Sequence, residues 1–291
     1  MNININGKTL DVKLEKEKFV GEVLCGIEKW LSDSGHVLSG ISIDNQEINV
    51  AEIESVFKKE INTIENLDIY TETISNLVMK SFRALLEDIE KYERLGFEEK
   101  ANFFNNWKEN SYANFLNEEA GDLYNLCENT FARAELSVQD LKSITEERIR
   151  EINEPDKEFA NIESILNEIC KKLVDLPLDI QTGKEAQAAK TIQLFAAITE
   201  KIMRIFYQLD IQGYLTKTGN ENILEQISDF TGILQELFNA YEKNDSVLVG
   251  DLAEYEASVR IKDIYTTIMS KIHKQTKFEQ TKFKQTKFED S

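Results

Sequence analysis

The first fifty residues alternate hydrophobic and polar positions in a way that the rest of the chain does not. Residues 2–14 read NININGKTLDVKL, with a period of two around Asn6-Gly7, a dipeptide typical of a two-residue hairpin turn. The alternation in residues 40–50, GISIDNQEINV, predicts a second hairpin around Asp44–Gln46. Between the hairpins, hydrophobic residues at helical spacing predict one helix, with an apolar face of Val20, Val23, Leu24, Ile27, Trp30 and Leu31.

After residue 50 the hydrophobic period changes to 3.6 residues and predicts helices as far as residue 272. Pro155 and Pro177 stand where the periodic pattern stops, so both are expected to end helices. Residues 181–272 then predict three long helices joined by short turns, which favours antiparallel neighbours. The helical stripes before them are Ile53–Leu67, Ile74–Tyr92, Leu123–Phe131, Val138–Ile152 and Phe159–Leu173.

The sequence therefore predicts a mainly α protein in which a small ββαββ domain precedes one or more helical bundles. The expected segments are the small domain at 1–50, a helical domain at 51–176 and a three-helix antiparallel segment at 181–272. The pattern leaves open whether the two helical segments form one unit. Only 12 Gly and 2 Pro occur in 291 residues, which also favours long helices because turns consume both residue types.

The C-terminal residues form a repeat of their own. Residues 276–290 are three five-residue copies, TKFEQ, TKFKQ and TKFED. A step of five residues advances a helix by about 500°, so the three Phe share no helical face, and an odd step alternates faces in a strand. We therefore expect a disordered repeat tail at 273–291. It is basic, with six Lys and three acidic residues between Lys271 and Ser291.

Net charge limits the classes of binding partner, and the cysteines indicate the cellular compartment. The chain has 34 Lys and Arg against 53 Asp and Glu, a net charge of −19, which opposes binding to nucleic acid and to membrane surfaces. No hydrophobic run approaches the roughly 20 residues of a membrane span. The three widely spaced cysteines, in no metal-binding or redox motif, favour a reduced, cytoplasmic protein.

Histidine is too scarce for the common catalytic and metal sites. Only His36 and His273 occur, and neither stands in the Glu-x-x-His motif of a di-iron bundle. The sequence has no cluster of Cys and His residues that could bind zinc. It also lacks the GxSxG motif that carries the nucleophilic serine of α/β-hydrolases. Thr182-Gly183-Lys184 lacks the rest of a phosphate-binding loop, and Thr182 with Glu185 instead predicts a capping box. We expect no cofactor, no metal and no catalytic residues, that is, a protein that is not an enzyme.

Clusters of acidic residues allow an alternative function, that of an enzyme that uses carboxylates alone. Carboxylates close together can exchange protons or bind a hard divalent cation. In a chain with 53 acidic residues, such clusters more simply form solvated helix faces. The clusters in question are Glu118, Glu119 and Asp122, and Asp251, Glu254 and Glu256.

One segment is unusually aromatic. Five aromatic residues fall within thirteen positions and are interleaved with Asn105, Asn106, Asn110 and Asn114. Such density is typical of protein interfaces and equally of the core at a helical corner. The candidate protein-interaction residues are Phe103, Phe104, Trp107, Tyr112 and Phe115.

Two resemblances follow from these patterns. The ββαββ order of residues 1–50 resembles a minimal β-grasp, or ubiquitin-like, domain. Residues 185–272 resemble the bacterial flagellar export chaperones, through the segment LFNAYEKNDSVLVGDLAEYE at 237–256. That family consists of small helical bundles that hold an unpolymerised filament subunit, so the resemblance implies a chaperone with a role in motility. The β-grasp-like start and the helices at 51–176 depart from the family, and no binding residues can be transferred.

The leading hypothesis is a cytoplasmic, non-enzymatic adaptor or chaperone that binds another protein through amphipathic helices, in a helix-in-groove manner. The alternatives are a carboxylate-only enzyme that depends on a divalent metal, and a structural oligomer. The sequence leaves the partner's identity and the presence of a homo-oligomer open.

Overall fold

The computed structural model describes residues 1–10, 14, 16–33, 35–48, 52–215 and 220–272. The repeat tail predicted at 273–291 lies outside the described residues. The chain divides into two compact units, Met1–Glu146 and Glu147–Ser291. The predicted fold class is confirmed: the protein is mainly α, and its only described sheet lies near the N-terminus.

The sheet of the first unit has the strand order β2-β1-β5-β3-β4. Strand β1 runs parallel to β5, and the other neighbouring pairs are antiparallel. Both predicted hairpins are confirmed, and Ile5 lies opposite Lys8 as the Asn6-Gly7 turn requires. The strands are β1 (Asn2–Ile5), β2 (Lys8–Thr9), β3 (His36–Ile43), β4 (Gln46–Glu47) and β5 (Asn66–Thr73).

The central strand β5 corrects the sequence prediction. The stripe Ile53–Leu67 is not one helix: it comprises α2 (Ile53–Phe57), a 3-10 turn (Ile61–Thr63) and the start of β5. Leu67 and Ile69, two residues apart, are both fully buried, so this segment follows the period of a strand. The sheet therefore continues to Thr73, beyond the boundary predicted at residue 50, and the order ββαββ lacked its central strand.

The turn residues of both hairpins bind the backbone of β5. Asn6 Oδ1 accepts a hydrogen bond from the backbone N–H of Thr71 at 2.9 Å. Asp44 Oδ1 accepts from the backbone N–H groups of Glu65 and Asn66, at 3.0 and 2.8 Å. Asn6 and Asp44 both have positive φ, a conformation that Asn and Asp tolerate better than most residues. These polar turn residues thus hold the hairpins to the central strand.

Helix α1 (Val20–Asp33) packs its apolar face against the sheet and shares one core with it. The predicted helix is confirmed, except that Trp30 does not belong to the buried face, because 57% of its surface is exposed. Gly21 approaches α2 so closely that a Cβ there would lie 3.0 Å from the carbonyl oxygen of Phe57.

Five helices follow the sheet. The predicted stripes at Ile74–Tyr92, Leu123–Phe131 and Val138–Ile152 are confirmed as helices, and Ser137 caps the third by accepting from the N–H of Asp140 at 3.0 Å. Helix α7 crosses the boundary between the two units. The helices are α3 (Ile74–Arg94), α4 (Phe97–Trp107), α5 (Ser111–Glu119), α6 (Gly121–Phe131) and α7 (Val138–Asn153).

The second unit is a helical bundle. Helix α11 continues through a π-helical segment (Leu252–Ala257) into α12 (258–272). This continuous helix runs antiparallel to α8, since Gln181 meets Ser246 at one end and Ala160 meets Tyr265 at the other. One hydrophobic core unites all of its helices. They begin with α8 (Pro155–Gln181), α9 (Glu185–Ile211), α10 (Asn220–Glu242) and α11 (Ser246–Asp251).

Two predictions around residue 180 are wrong. As expected, α7 ends at Asn153, just before Pro155, which begins α8. Pro177, by contrast, lies inside α8, which runs on to Gln181. The Pro177 ring packs against Gly250, where an added Cβ would lie 2.8 Å from Pro177 Cγ. Thr182 forms no capping box with Glu185: its hydroxyl donates to the carbonyl of Leu178 at 2.7 Å, at the end of α8. Helix α8 accordingly belongs to the bundle, and the three-helix segment predicted at 181–272 has a fourth partner.

Candidate functional site

The aromatic residues singled out in the sequence lie together in the first unit. Phe103 and Trp107, four residues apart on α4, are both buried, with 8% and 2% of their surfaces exposed. Phe103 contacts Tyr92 and Phe131 with ring centroids 5.0 Å apart, and Trp107 lies 5.7 Å from Phe131. Phe104, Tyr112 and Phe115 are half-buried. Most of this aromatic surface therefore forms the core at a helical corner.

One side of this aromatic core is open as a cleft of about 380 Å³. Helix α3 supplies one wall of the cleft and α4 the other, so the whole cleft lies within the first unit. Its lining combines two buried rings with charged and amide side chains: Asp88, Lys91, Leu95, Glu99, Asn102, Phe103, Asn106, Trp107 and Asn110. We refer to these residues as the α3–α4 cleft.

A chain of hydrogen bonds fixes one end of the cleft. Trp107 Nε1 donates to the hydroxyl of Tyr112 at 2.7 Å, and that hydroxyl donates in turn to Asp88 Oδ2. Burial, and then the bond to Asp88, raise the pKa of Tyr112, so its hydroxyl stays protonated and remains a donor at neutral pH. The bonded carboxylate of Asp88 is thereby held at the wall of the cleft.

A row of asparagines follows the other wall. Asn102 and Asn106 are four residues apart and therefore lie on one face of α4, and Asn110 follows directly after the helix. All three are exposed, and their carboxamides make no hydrogen bond within the part of the chain that the structure describes. Asn106 and Asn110 belong to the aromatic segment that the sequence pattern indicates, whereas Asn102 and Asp88 lie outside it. The spacing 102, 106, 110 was the available signal for the row.

The charges of the cleft nearly cancel. Asp88 and Glu99 oppose Lys91. Glu99 also serves the fold, because its Oε2 accepts from the backbone N–H of Gly96 at 2.9 Å at the start of α4. What the cleft offers a ligand is therefore amide groups, a fixed carboxylate and an aromatic floor.

A second polar cluster lies in the bundle unit, where α7, α8 and α9 meet. Glu151, 3% exposed, accepts from Arg204 Nε and Nη2 at 3.1 and 3.2 Å and pairs with Arg148 at 3.5 Å. Lys201 bridges Glu147 at 2.7 Å and Glu158 at 3.5 Å. Burial raises the pKa of Glu151 to about 7, although Arg148 and Lys201 act against the rise. This cluster is a buried ion-pair network between helices.

An apolar groove of about 370 Å³ lies beside α1 in the sheet portion of the first unit. Its walls carry Ile3, Leu10 and Ile27, together with the exposed Trp30. Glu22, which also lines it, accepts from the backbone N–H groups of Lys18 and Phe19 at the start of α1. The lining is mainly apolar and includes Glu17 and Glu22, and nothing in the described structure indicates what would cover the groove.

The cysteines and histidines are the remaining candidate groups. Cys25 is exposed, while Cys127 and Cys170 are buried in helical cores, and burial raises the pKa of both buried thiols. His36 begins β3 opposite Thr73, and His273 lies outside the described residues. In the described ranges, no three His, Cys, Asp or Glu side chains are grouped to hold a metal ion. None of the described helices is both long and apolar enough to cross a membrane.

Comparison with known proteins places two segments of the chain. Residues 1–73 match a family described as the TP0873 N-terminal domain, and residues 157–267 match a domain of unknown function, DUF8042. The first match ends with β5, and the second covers nearly the whole bundle of α8–α12. The α3–α4 cleft lies between the two matched segments.

An uncharacterized protein of Treponema pallidum (strain Nichols) is 21% identical over 271 residues, which cover 92% of this chain and 96% of that protein. No solved structure matches the chain significantly. The chain is thus similar over nearly its full length to a protein of comparable extent, and the two matched segments contain its sheet and most of its bundle.

Proposed function

We propose that this protein is a non-enzymatic adaptor or chaperone that binds a segment of another protein in the α3–α4 cleft. The observation that carries the proposal is the row of unbonded asparagine carboxamides above a floor of buried aromatic rings. Binding sites combine apolar surface with a few convergent polar groups, and this cleft has both. The buried rings supply a rigid floor rather than protruding anchors.

The chemistry of the cleft favours recognition over catalysis. Tyr112 has a raised pKa and is tied to both Trp107 and Asp88, so its hydroxyl orients the carboxylate instead of acting as a nucleophile. Asparagine carboxamides neither accept nor release protons at neutral pH, but each offers both donors and an acceptor. These groups suit hydrogen bonding to a peptide.

We also propose that the sheet portion is a β-grasp module and that the bundle has a chaperone-like role connected with motility. The first proposal is supported by the strand order with parallel central strands β1 and β5 and by α1 packed on the sheet. The second is supported by the antiparallel bundle and by the turn at 243–245, where Asp245 Oδ1 accepts from the N–H of Leu248 at 3.1 Å. That turn lies within the segment that resembles the flagellar export chaperones.

A cytoplasmic location and a protein partner are part of the same proposal. Cys25, Cys127 and Cys170 are all free thiols, which suits a reducing compartment. The net charge of −19 disfavours nucleic acid and anionic membranes and favours a partner segment that carries positive charge.

Site-specific photo-cross-linking tests the proposal. A photoreactive residue replaces Asn106, which lines the cleft, or Asn105, which is exposed on the same helix but does not line it. In native cells we expect one discrete protein adduct from position 106 and none from position 105. No adduct from position 106, or the same adducts from both positions, would contradict the proposed site.

A further inference from the structure

The asparagine row indicates the form that the bound segment takes. Resting on the function proposed above, we infer that the α3–α4 cleft binds a peptide in extended conformation, through its main chain. The peptide carries an apolar side chain that faces Phe103 and Trp107, with Lys or Arg beside it. This mode differs from the helix-in-groove docking that the amphipathic helices predict.

The spacing of the carboxamides fits an extended chain. Four residues of an α-helix rise about 6 Å, which is the separation along the axis of Asn102 and Asn106. Two residues of an extended chain span about 6.6 Å, so peptide groups on one edge recur at nearly the same interval. Each carboxamide can accept from a peptide N–H and donate to a carbonyl oxygen. Asn110, which follows the end of α4, lines the same cleft.

A helical ligand would offer these carboxamides few main-chain partners. A helix bonds its backbone internally and offers a groove mainly side chains. The carboxamides of Asn102 and Asn106 make no hydrogen bond to the described residues and are open to solvent, so the N–H and C=O groups of an extended main chain can take the place of their water partners. Alternate side chains of that peptide point toward the cleft, where the two buried rings present apolar surface.

The charged residues of the cleft determine which side chain of the peptide lies beside its apolar residue. Tyr112 donates to Asp88 Oδ2, whereas Asp88 Oδ1 accepts no hydrogen bond within the described structure. Asp88 and Glu99 both line the cleft, and their carboxylates attract a Lys or Arg of the peptide. Lys91 repels such a residue at its own position, so we expect one preferred basic position rather than a uniformly basic segment.

The test uses a phage-displayed library of random twelve-residue peptides, selected on the full-length protein. We expect enriched peptides that combine a basic residue with a nearby apolar residue. Their synthetic versions should bind the Asn102→Ala/Asn106→Ala variant at least about tenfold more weakly, since two paired carboxamides are lost. Asn105→Ala/Asn114→Ala, a matched pair of exposed asparagines outside the cleft, should bind them unchanged.

Backbone methylation of the peptide supplies a readout that a merely structural role would not move. N-methylation of the amide that meets Asn106 removes one donor and should weaken binding to the wild type but not to the double variant. The inference is overturned if no peptide is enriched, if the double variant binds as tightly as the wild type, or if methylation has no effect. Cross-linking from position 106 together with any of these results would leave the proposed function standing and remove only the extended-peptide mode.

Discussion

Glu151 shows how a single buried charge links stability to pH. Its carboxylate lies among Arg148, Lys201 and Arg204, with Glu147 and Glu158 also near it. Burial raises its pKa from an ordinary 4.5 to about 7, so the native state binds an extra proton between these values. The stabilisation from the protonated group is therefore complete below about pH 4.5 and is lost as the pH rises through 7.

We predict that Glu151→Gln removes this pH dependence. Between pH 5 and 8 the wild type should lose roughly 1–3 kcal/mol more unfolding free energy than the variant, because glutamine has no proton to lose. Urea unfolding followed by circular dichroism measures this difference. Glu163→Gln, an exposed carboxylate on α8, is the control and should follow the wild type. Parallel pH profiles for the wild type and Glu151→Gln would refute the raised pKa.

Substitutions of two helical glycines are expected to have opposite effects on the stability of the bundle. Gly250→Ala should destabilise the bundle by about 1–2 kcal/mol, because the new Cβ would lie 2.8 Å from Pro177 Cγ. Gly232→Ala, in open space on α10, should stabilise it by about 0.5–1 kcal/mol through helix propensity alone. Circular dichroism during urea unfolding reports both changes. Equal effects of the same sign would show that Pro177 and Gly250 are not in close contact.

At the scale of elements, the sheet depends on its polar turns. We predict that Asp44→Ala costs roughly 1–2 kcal/mol more than Asn45→Ala, because only Asp44 bonds the backbone of Glu65 and Asn66. Both residues have positive φ, so the Asn45 variant accounts for the backbone cost. Tryptophan fluorescence during unfolding is the suitable probe, since both tryptophans, Trp30 and Trp107, lie in the first unit. Equal costs for the two variants would contradict the turn-to-strand bonds.

The sequence predicts elements well where the signal is local. The Asn6-Gly7 hairpin follows from residues a few positions apart and is confirmed, and Ser137 and Asp245 cap their helices through bonds that are equally local. Strand β5 was missed because its burial depends on partners about thirty and sixty residues away, in β3 and β1. Pro177 was misassigned for a related reason, since its ring is accommodated by Gly250 on another helix.

The candidate site was predictable only in part, for the same reason. The aromatic cluster and its i,i+4 pair Phe103 and Trp107 stood out in the sequence. The cleft itself needs α3 opposite α4, and Asp88 reaches it only through that packing. Trp30 shows the converse case, because it follows the helical apolar spacing of α1 and yet remains exposed.

At the scale of the whole molecule, acidity is spread over many helix faces. We predict that Mg²⁺, Mn²⁺ and Ca²⁺ change the melting temperature no more than NaCl of equal ionic strength does. The reason is that no described group of three acidic side chains is arranged to bind a cation. The acidic clusters at Glu118, Glu119 and Asp122 and at Asp251, Glu254 and Glu256 are tested together in this way. A rise in the melting temperature with only one of these cations would favour the alternative of a carboxylate-only, metal-dependent enzyme.

The central claim is that the α3–α4 cleft binds a segment of a partner protein. The most direct measurement is the dissociation constant of the partner captured by cross-linking, for the wild type, Asn106→Arg and Asn105→Arg. Both variants add the same bulk and charge to exposed positions of α4, but only Asn106 lines the cleft. We predict that Asn106→Arg weakens binding at least about tenfold, a loss of about 1.4 kcal/mol, and that Asn105→Arg leaves it unchanged. Equal affinities for the two variants would contradict the claim.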